Sequence, residues 1–175
     1  NDSANELDTI IKDIAEKSFV ANSLKEISTE TKAKTNTLAK ETPLHVLLID
    51  DDKMVQLLQK AVIKKHGFSQ EPEVYFTAES ALDSLIGRAQ LDENFLIFLD
   101  INMPGMNGWQ FLTELENHEF KGDIRVIMLS SSIDLDDKVR ANDFNRVIDY
   151  QTKPLNAELL DSIKKHPKLL DFFKV

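Results

Sequence analysis

From residue 44 onward the chain alternates short, nearly continuous apolar runs with segments in which apolar residues recur every three or four positions. Continuous runs suit strands buried on both faces, and the three-to-four spacing suits helices packed along one side. The runs are Leu44 to Ile49, a weaker Val74 to Thr77, Phe95 to Leu99, Ile124 to Leu129 and Arg146 to Tyr150. After the first run, Met54, Leu57, Leu58, Ala61 and Val62 predict a helix with these residues packed on one side and Gly67 as its stop. Ala81, Leu82, Leu85 and Ile86 predict a second helix, ended by Gly87. Trp109, Leu112 and Leu115 begin a third, behind the turn-forming stretch from Met103 to Gly108. A fourth helix spans about Asp134 to Phe144 with a thin apolar face of Leu135, Val139 and Phe144, and a fifth spans Ala157 to Lys165. The tail from Leu169 to Phe173 is expected to pack. Such alternation makes an α/β domain, a parallel sheet with helices on both faces.

Residues 1–43 have a different texture. Leu7, Ile10, Ile14, Ala21 and Leu24 fall along one side of a helix, interrupted by Lys17, and the stretch from Ser28 to Thr42 becomes a polar linker ending at Pro43. Two readings stay open: a solvated amphipathic helix on a tether, or a dimerising or signalling helix that joins the domain to a partner. The expected organisation is a helical leader and linker over 1–43 and one domain over 44–175. Composition narrows the function classes. A net charge of −9 without a compact basic run repels a nucleic-acid backbone, and the absence of cysteine excludes disulfides, thiolate metal sites and a cysteine nucleophile. No apolar run reaches the roughly 18 residues of a membrane span, and no secretory signal is visible, so a cytoplasmic setting is the expectation.

The polar residues that follow the apolar runs carry the chemistry. Asp50-Asp51-Asp52 closes the first run, Asp100 the third, Ser130 the fourth, and Lys153-Pro154 follows the fifth. In an open parallel sheet, ligands bind outside the carboxyl ends of the strands, so these groups should share one crevice. The sequences Leu-Ile-Asp-Asp-Asp at 48–52, Leu-Asp-Ile-Asn-Met-Pro-Gly-Met-Asn-Gly at 99–108, Ile-Met-Leu-Ser-Ser at 127–131 and Tyr-Gln-Thr-Lys-Pro at 150–154 resemble the receiver domain of two-component response regulators, over about Leu44 to Lys165. The resemblance implies a flavodoxin-like five-stranded parallel sheet, order 2-1-3-4-5, here with an N-terminal helical extension.

It also implies residue roles. Asp100 is the expected phosphoacceptor. Asp51 and the main-chain carbonyl of Asn102 are expected to hold Mg2+ together with Asp100, and Asp50 to orient a metal-bound water. Lys153 is expected to pair with Asp100 and then with its phosphate, Ser130 to hydrogen-bond a phosphoryl oxygen, and Lys153-Pro154 to be a cis bond. Tyr150 and Ser130 would form the switch, moving the face near the fourth helix and fifth strand. Spacing alone leaves the acidic pair open between Asp50/Asp51 and Asp51/Asp52, and the hydroxyl open among Ser130, Ser131 and Ser132. Tyr150 can equally be a half-buried strand tyrosine.

The implied function is a phosphorylation-controlled signalling protein rather than an enzyme acting on other substrates. It would take phosphate from a histidine kinase or histidine phosphotransfer protein and signal through protein contacts. A receiver fragment of a hybrid histidine kinase is an alternative. A Mg2+-dependent phosphohydrolase with an Asp nucleophile is another, but it wants an acid two residues on, where Asn102 cannot donate a proton. His45, His66, His118 and His166 are read as structural or solvated rather than as phosphodonors.

Overall fold

The structure is a computed structural model that describes residues 42–131 and 134–173, so the expected leader and linker, up to Glu41, lie outside the described residues. Strands β1 (Leu44–Ile49), β2 (Glu73–Tyr75), β3 (Asn94–Asp100), β4 (Ile124–Ser130) and β5 (Val147–Thr152) alternate with helices α1 (Lys53–Lys65), α2 (Ala78–Gly87), α3 (Gly108–Glu116), α4 (Leu135–Ala141) and α5 (Ala157–Lys164). The strands form one parallel sheet in the order β2-β1-β3-β4-β5. This is the flavodoxin-like order that the motifs imply.

Alternation along the strands divides the core in two. Leu47, Ile49, Phe95, Ile97, Leu99, Val126 and Met128 face a layer with Ala81 and Leu85 from α2 and Phe111 and Leu112 from α3. Val46, Leu48, Leu96, Phe98, Ile127 and Leu129 face the opposite layer with Ile63 from α1 and Leu160 and Ile163 from α5. Full burial of such a side chain is worth about 1.5–3 kcal/mol, so the two layers fix the strand register against a one-residue slip. Asp52, Thr77, Asn107, Asp134 and Asn156 cap the five helices, each accepting a backbone N–H of the first turn.

Helix α1 departs from expectation. Its apolar residues Met54, Leu57 and Leu58 are more than 60% exposed, at 64%, 62% and 61%, and Ala61 is exposed too; of the expected face only Val62 packs partly on the core, while Gln56, Gln59 and Ile63 face the sheet. The inward stripe has the same i, i+3, i+7 spacing as a helix face, so periodicity could not choose between stripes. Hydrogen bonds decide it. Gln56 Nε2 lies 3.0 Å from Leu48 O, 3.0 Å from Asp50 O and 2.9 Å from Tyr75 O, tying the helix to the carboxyl ends of β1 and β2.

The fourth helix is also shorter than expected. Leu135 and Val139 are exposed, and of the expected face only Phe144, beyond the helix end, packs inward, stacking on Trp109 with ring centroids 6.0 Å apart. Arg140 covers the same Trp109 ring. The tail packs as expected: a 3-10 turn over Pro167–Leu169 buries Leu169 completely, and Phe173 meets Phe68 edge-on at 5.2 Å. Among the described residues no helix is long and apolar enough to cross a membrane.

Candidate functional site

Register brings the polar strand ends together. Ile49 pairs with Leu99 and Leu129 with Asp100, while Ser130 pairs with Thr152, so Asp50, Asp100, Ser130 and Lys153 all sit at one edge of the sheet. The ladder continues one step further where the Lys153 N–H donates to Ser130 O at 2.8 Å. Asp50, Asp51 and Asp100 each offer a carboxylate oxygen, all within 4.8 Å of one another. Asp50 is 1% and Asp100 4% exposed, whereas Asp51 stands open to solvent.

Lys153 bridges the two buried acids. Its Nζ lies 2.6 Å from Asp50 Oδ2 and 2.9 Å from Asp100 Oδ2. The remaining oxygens are also engaged: Asp50 Oδ1 accepts the Asp52 N–H at 3.0 Å, and Asp100 Oδ1 accepts the Asn102 N–H at 3.2 Å. Burial pushes the Asp100 carboxyl above the usual carboxylate range against the pull of Lys153 and the Asn102 N–H, and the charge of Asp50 adds to the rise. For Lys153 burial acts to lower the ammonium pKa, but Asp50 and Asp100 together outweigh it and hold the group above its ordinary value. Like charges within 4.8 Å of one another repel by a few kcal/mol, an order-of-magnitude value at an effective dielectric constant of about 20. With all three acids ionised, the cluster carries two negative charges more than Lys153 neutralises. Oxygen ligands with that surplus suit a divalent cation such as Mg2+, which commonly takes one or two carboxylates and completes its shell with water and phosphate.

The other expected residues fall as follows. Asp52 spends its carboxylate on the α1 cap, accepting from Met54 N–H at 2.7 Å and Val55 N–H at 3.1 Å, and so stands apart from the acidic trio. Ser130 is buried at the end of β4, and Asn102 lies exposed in the loop after β3. The Lys153-Pro154 bond is cis. Tyr150 is buried in β5 within the core layer that holds residues of α2 and α3, and its hydroxyl has no hydrogen-bond partner among the described residues. His45 Nδ1 meets Glu73 at 3.0 Å, His66 caps α1, His118 Nδ1 meets its own helix carbonyl at Glu114, and His166 caps the tail turn.

Several contributors are not evident in the sequence. Gln59 Nε2 lies 3.5 Å from Asp50 Oδ2, and Glu79 Oε1 accepts the Met106 N–H at 2.8 Å, pinning the loop that follows Asp100. Both occupy what the sequence presents as ordinary polar helix positions, and only the inward spacing of Gln56, Gln59 and Ile63 could have revealed the glutamines. Gly108 allows a close approach: a Cβ there would lie 2.6 Å from Asp100 O and 2.9 Å from Ile101 Cα.

The family model of the response regulator receiver domain matches residues 46–164, and the chain belongs to that family. It is similar to the protein PilG of Pseudomonas aeruginosa, 35% identical over 127 residues that take in 70% of this chain and 87% of PilG. It also resembles the transcriptional regulatory protein MalR of Bacillus subtilis, 34% identical over 66% of this chain but only 46% of MalR, so it spans about half that relative. The crystal structure of a two-component response regulator from Cytophaga hutchinsonii shares the fold at a TM-score of 0.62 and 30% identity, covering 74% of this chain and 98% of that one. A likeness of fold alone, at a TM-score of 0.60 and 19% identity over 76% of this chain and 94% of the other, links it to a co-crystal structure of the Saccharomyces cerevisiae histidine phosphotransfer protein Ypd1 with the receiver domain of Ssk1.

Proposed function

We propose that this chain accepts a phosphoryl group on Asp100 from a phosphohistidine donor, with Mg2+, and signals through protein contacts. The observation that carries this reading is the single ammonium of Lys153 shared between two buried carboxylates beside a third, at the carboxyl edge of the sheet. Asp100 and Asp51, with the main-chain carbonyl of Asn102, would hold the ion, and Asp50 would orient a water bound to it. Bound there, the ion neutralises charge on the transferring oxygens.

The chain's own residues do the rest. A carboxylate oxygen of Asp100 attacks phosphorus, an O–P bond forms as the N–P bond breaks, and the imidazole leaves with the electron pair. Lys153 then moves its contact from the Asp100 carboxylate to the phosphoryl oxygens as a mobile point charge. Ser130 donates its hydroxyl to another phosphoryl oxygen. That pull shifts the loop after β4, and Tyr150 and the face of α4 and β5 follow as the switch. The thin attachment of α4, with Leu135 and Val139 exposed, supports movement there.

The partner is a histidine kinase or histidine phosphotransfer protein, the kind of protein that Ypd1 is for its own receiver. The apolar outer face of α1 begins two residues beyond Asp52, beside the cluster, where any donor reaching Asp100 must sit. The setting is cytoplasmic, and the chain works either as an independent regulator or as the receiver of a hybrid kinase.

Incubation with acetyl phosphate and Mg2+ tests the reading. We expect one added phosphoryl group by intact mass, stable to acid, removed by hydroxylamine and absent in Asp100→Asn. An adduct that persists in Asp100→Asn would refute it.

A further inference from the structure

Helix α1 turns two amides toward the sheet, and the mechanism above uses neither. Gln56 is accounted for by the carbonyls at the ends of β1 and β2. Gln59 is not. It is 3% exposed, and among the described residues its Oε1 has no hydrogen-bond partner, an arrangement that burial of a polar group normally disfavours. What the amide does have is Asp50: Gln59 Nε2 lies 3.5 Å from Asp50 Oδ2, the same oxygen that Lys153 Nζ contacts at 2.6 Å.

Asp50 has few other sources of donors. It is 1% exposed, and its second oxygen is occupied by the Asp52 N–H. One Nζ contacts both Asp50 Oδ2 and Asp100 Oδ2, so when Lys153 turns from Asp100 to a phosphoryl oxygen it also draws away from Asp50, and Oδ2 loses its cation inside the protein. A neutral donor carried by α1 can then tighten from a long contact to a short one. It restrains the carboxylate without cancelling the negative charge that faces the metal. A lysine or arginine there would compete with the divalent ion, and an apolar residue would leave Oδ2 bare.

The geometry points to Gln59 as a positioning residue of the acidic cluster, whose amide orients Asp50 and takes over Oδ2 when Lys153 leaves. This rests on the roles given to Asp50 and Lys153 under the proposed function. Partners that orient metal-binding groups in this way typically change metal affinity about 10- to 100-fold when removed.

The test is calorimetric titration of the full chain with Mg2+, with urea unfolding in EDTA as the measure of packing. Gln59→Met keeps the length and volume and removes the donor, and Gln59→Leu serves as a second apolar replacement. We expect Mg2+ binding to weaken about tenfold in both, with an unchanged or higher urea midpoint, and the loss to grow in a Lys153→Met background. Asp50→Asn separates the two levels of the reading. If Asp50→Asn weakens Mg2+ binding and the Gln59 variants stay within about twofold of the parent, the role of Gln59 is overturned while the site stands. If Asp50→Asn also leaves binding unchanged, the site reading fails and this inference fails with it. A fall in the EDTA midpoint that tracks the loss of affinity in both Gln59 variants would assign the residue to packing alone and overturn the proposal as well.

Discussion

Replacing Asp100 by asparagine should make the metal-free protein more stable. Asp100 is 4% exposed, and its pKa is raised because burial and the charge of Asp50 outweigh the attraction of Lys153, which is shared with Asp50 at 2.6 Å. A carboxyl whose folded pKa lies above its unfolded value binds protons more readily in the folded state. Its ionised form therefore opposes folding at every pH above the raised value, and the deficit disappears as pH falls below its ordinary range. Asparagine removes the charge while keeping the shape. The gain is what remains after opposing effects nearly cancel. Several kcal/mol of ion burial and a smaller repulsion from Asp50 are relieved, the Lys153 attraction is lost, and the balance is on the order of 1 kcal/mol. Mg2+ should reverse the ranking. At a hundredfold excess over Kd the ion stabilises the parent by about 2.7 kcal/mol and Asp100→Asn by much less. Urea titrations at pH 7 in EDTA and in Mg2+ measure both effects. A variant less stable than the parent in EDTA, or one that gains as much from Mg2+ as the parent does, would refute the account of the site as a cluster of mutually repelling acids suited to a cation.

Features away from the cluster can be tested in the same way. Glu73 is depressed below its ordinary value of 4.5, because hydrogen bonds from Arg88 and Tyr75 and the Arg88 charge overcome the opposing effect of burial. Its contribution is present above 4.5 and lost as pH falls through the depressed value, so Arg88→Met should cost about 1 kcal/mol at pH 7 and progressively less in acid, read by urea midpoints across pH. Gly108→Ala drives a methyl against the backbone of Asp100 and Ile101, and should cost about 1–3 kcal/mol and slow phosphorylation from acetyl phosphate. Leu169→Ala empties a fully buried tail position and should cost about 2–5 kcal/mol in thermal or urea unfolding while leaving Mg2+ affinity intact.

The strands were readable because β1, β3 and β4 are buried on both faces, which forces unbroken apolar runs such as Leu44 to Ile49. Their polar successors then marked the site, since the carboxyl edge of a parallel sheet gathers whatever follows each strand. Less was readable in the helices. In α1, Met54, Leu57 and Leu58 and the rival stripe Gln56, Gln59 and Ile63 share one period, and the choice between them rests on Gln56 meeting carbonyls from β1 and β2, a contact invisible until the strands are placed. In α4 the expected face of Leu135 and Val139 overestimated the packing, because Ala141 alone in the helix is buried and Phe144, beyond its end, seals the layer against Trp109. Spacing alone leaves Asp52 as a rival to Asp50 in the acidic pair, and its carboxylate caps α1 instead.

The inverted face of α1 bears on how the domain opens. A helix that fully buries one apolar side chain, Ile63, with Val62 partly buried beside it, gives up less hydrocarbon contact than α3 when it peels from the sheet. Its amides should therefore exchange with deuterated solvent through a partial opening that lies well below global unfolding in free energy. The same helix carries the Asp52 cap and the Gln56 anchor next to Asp50, so each such opening loosens the place where a cation would bind. Loading the domain with Mg2+ should slow deuterium uptake along α1 more than in α3, which buries Trp109, Phe111, Leu112 and Leu115 and has no comparable route to detach.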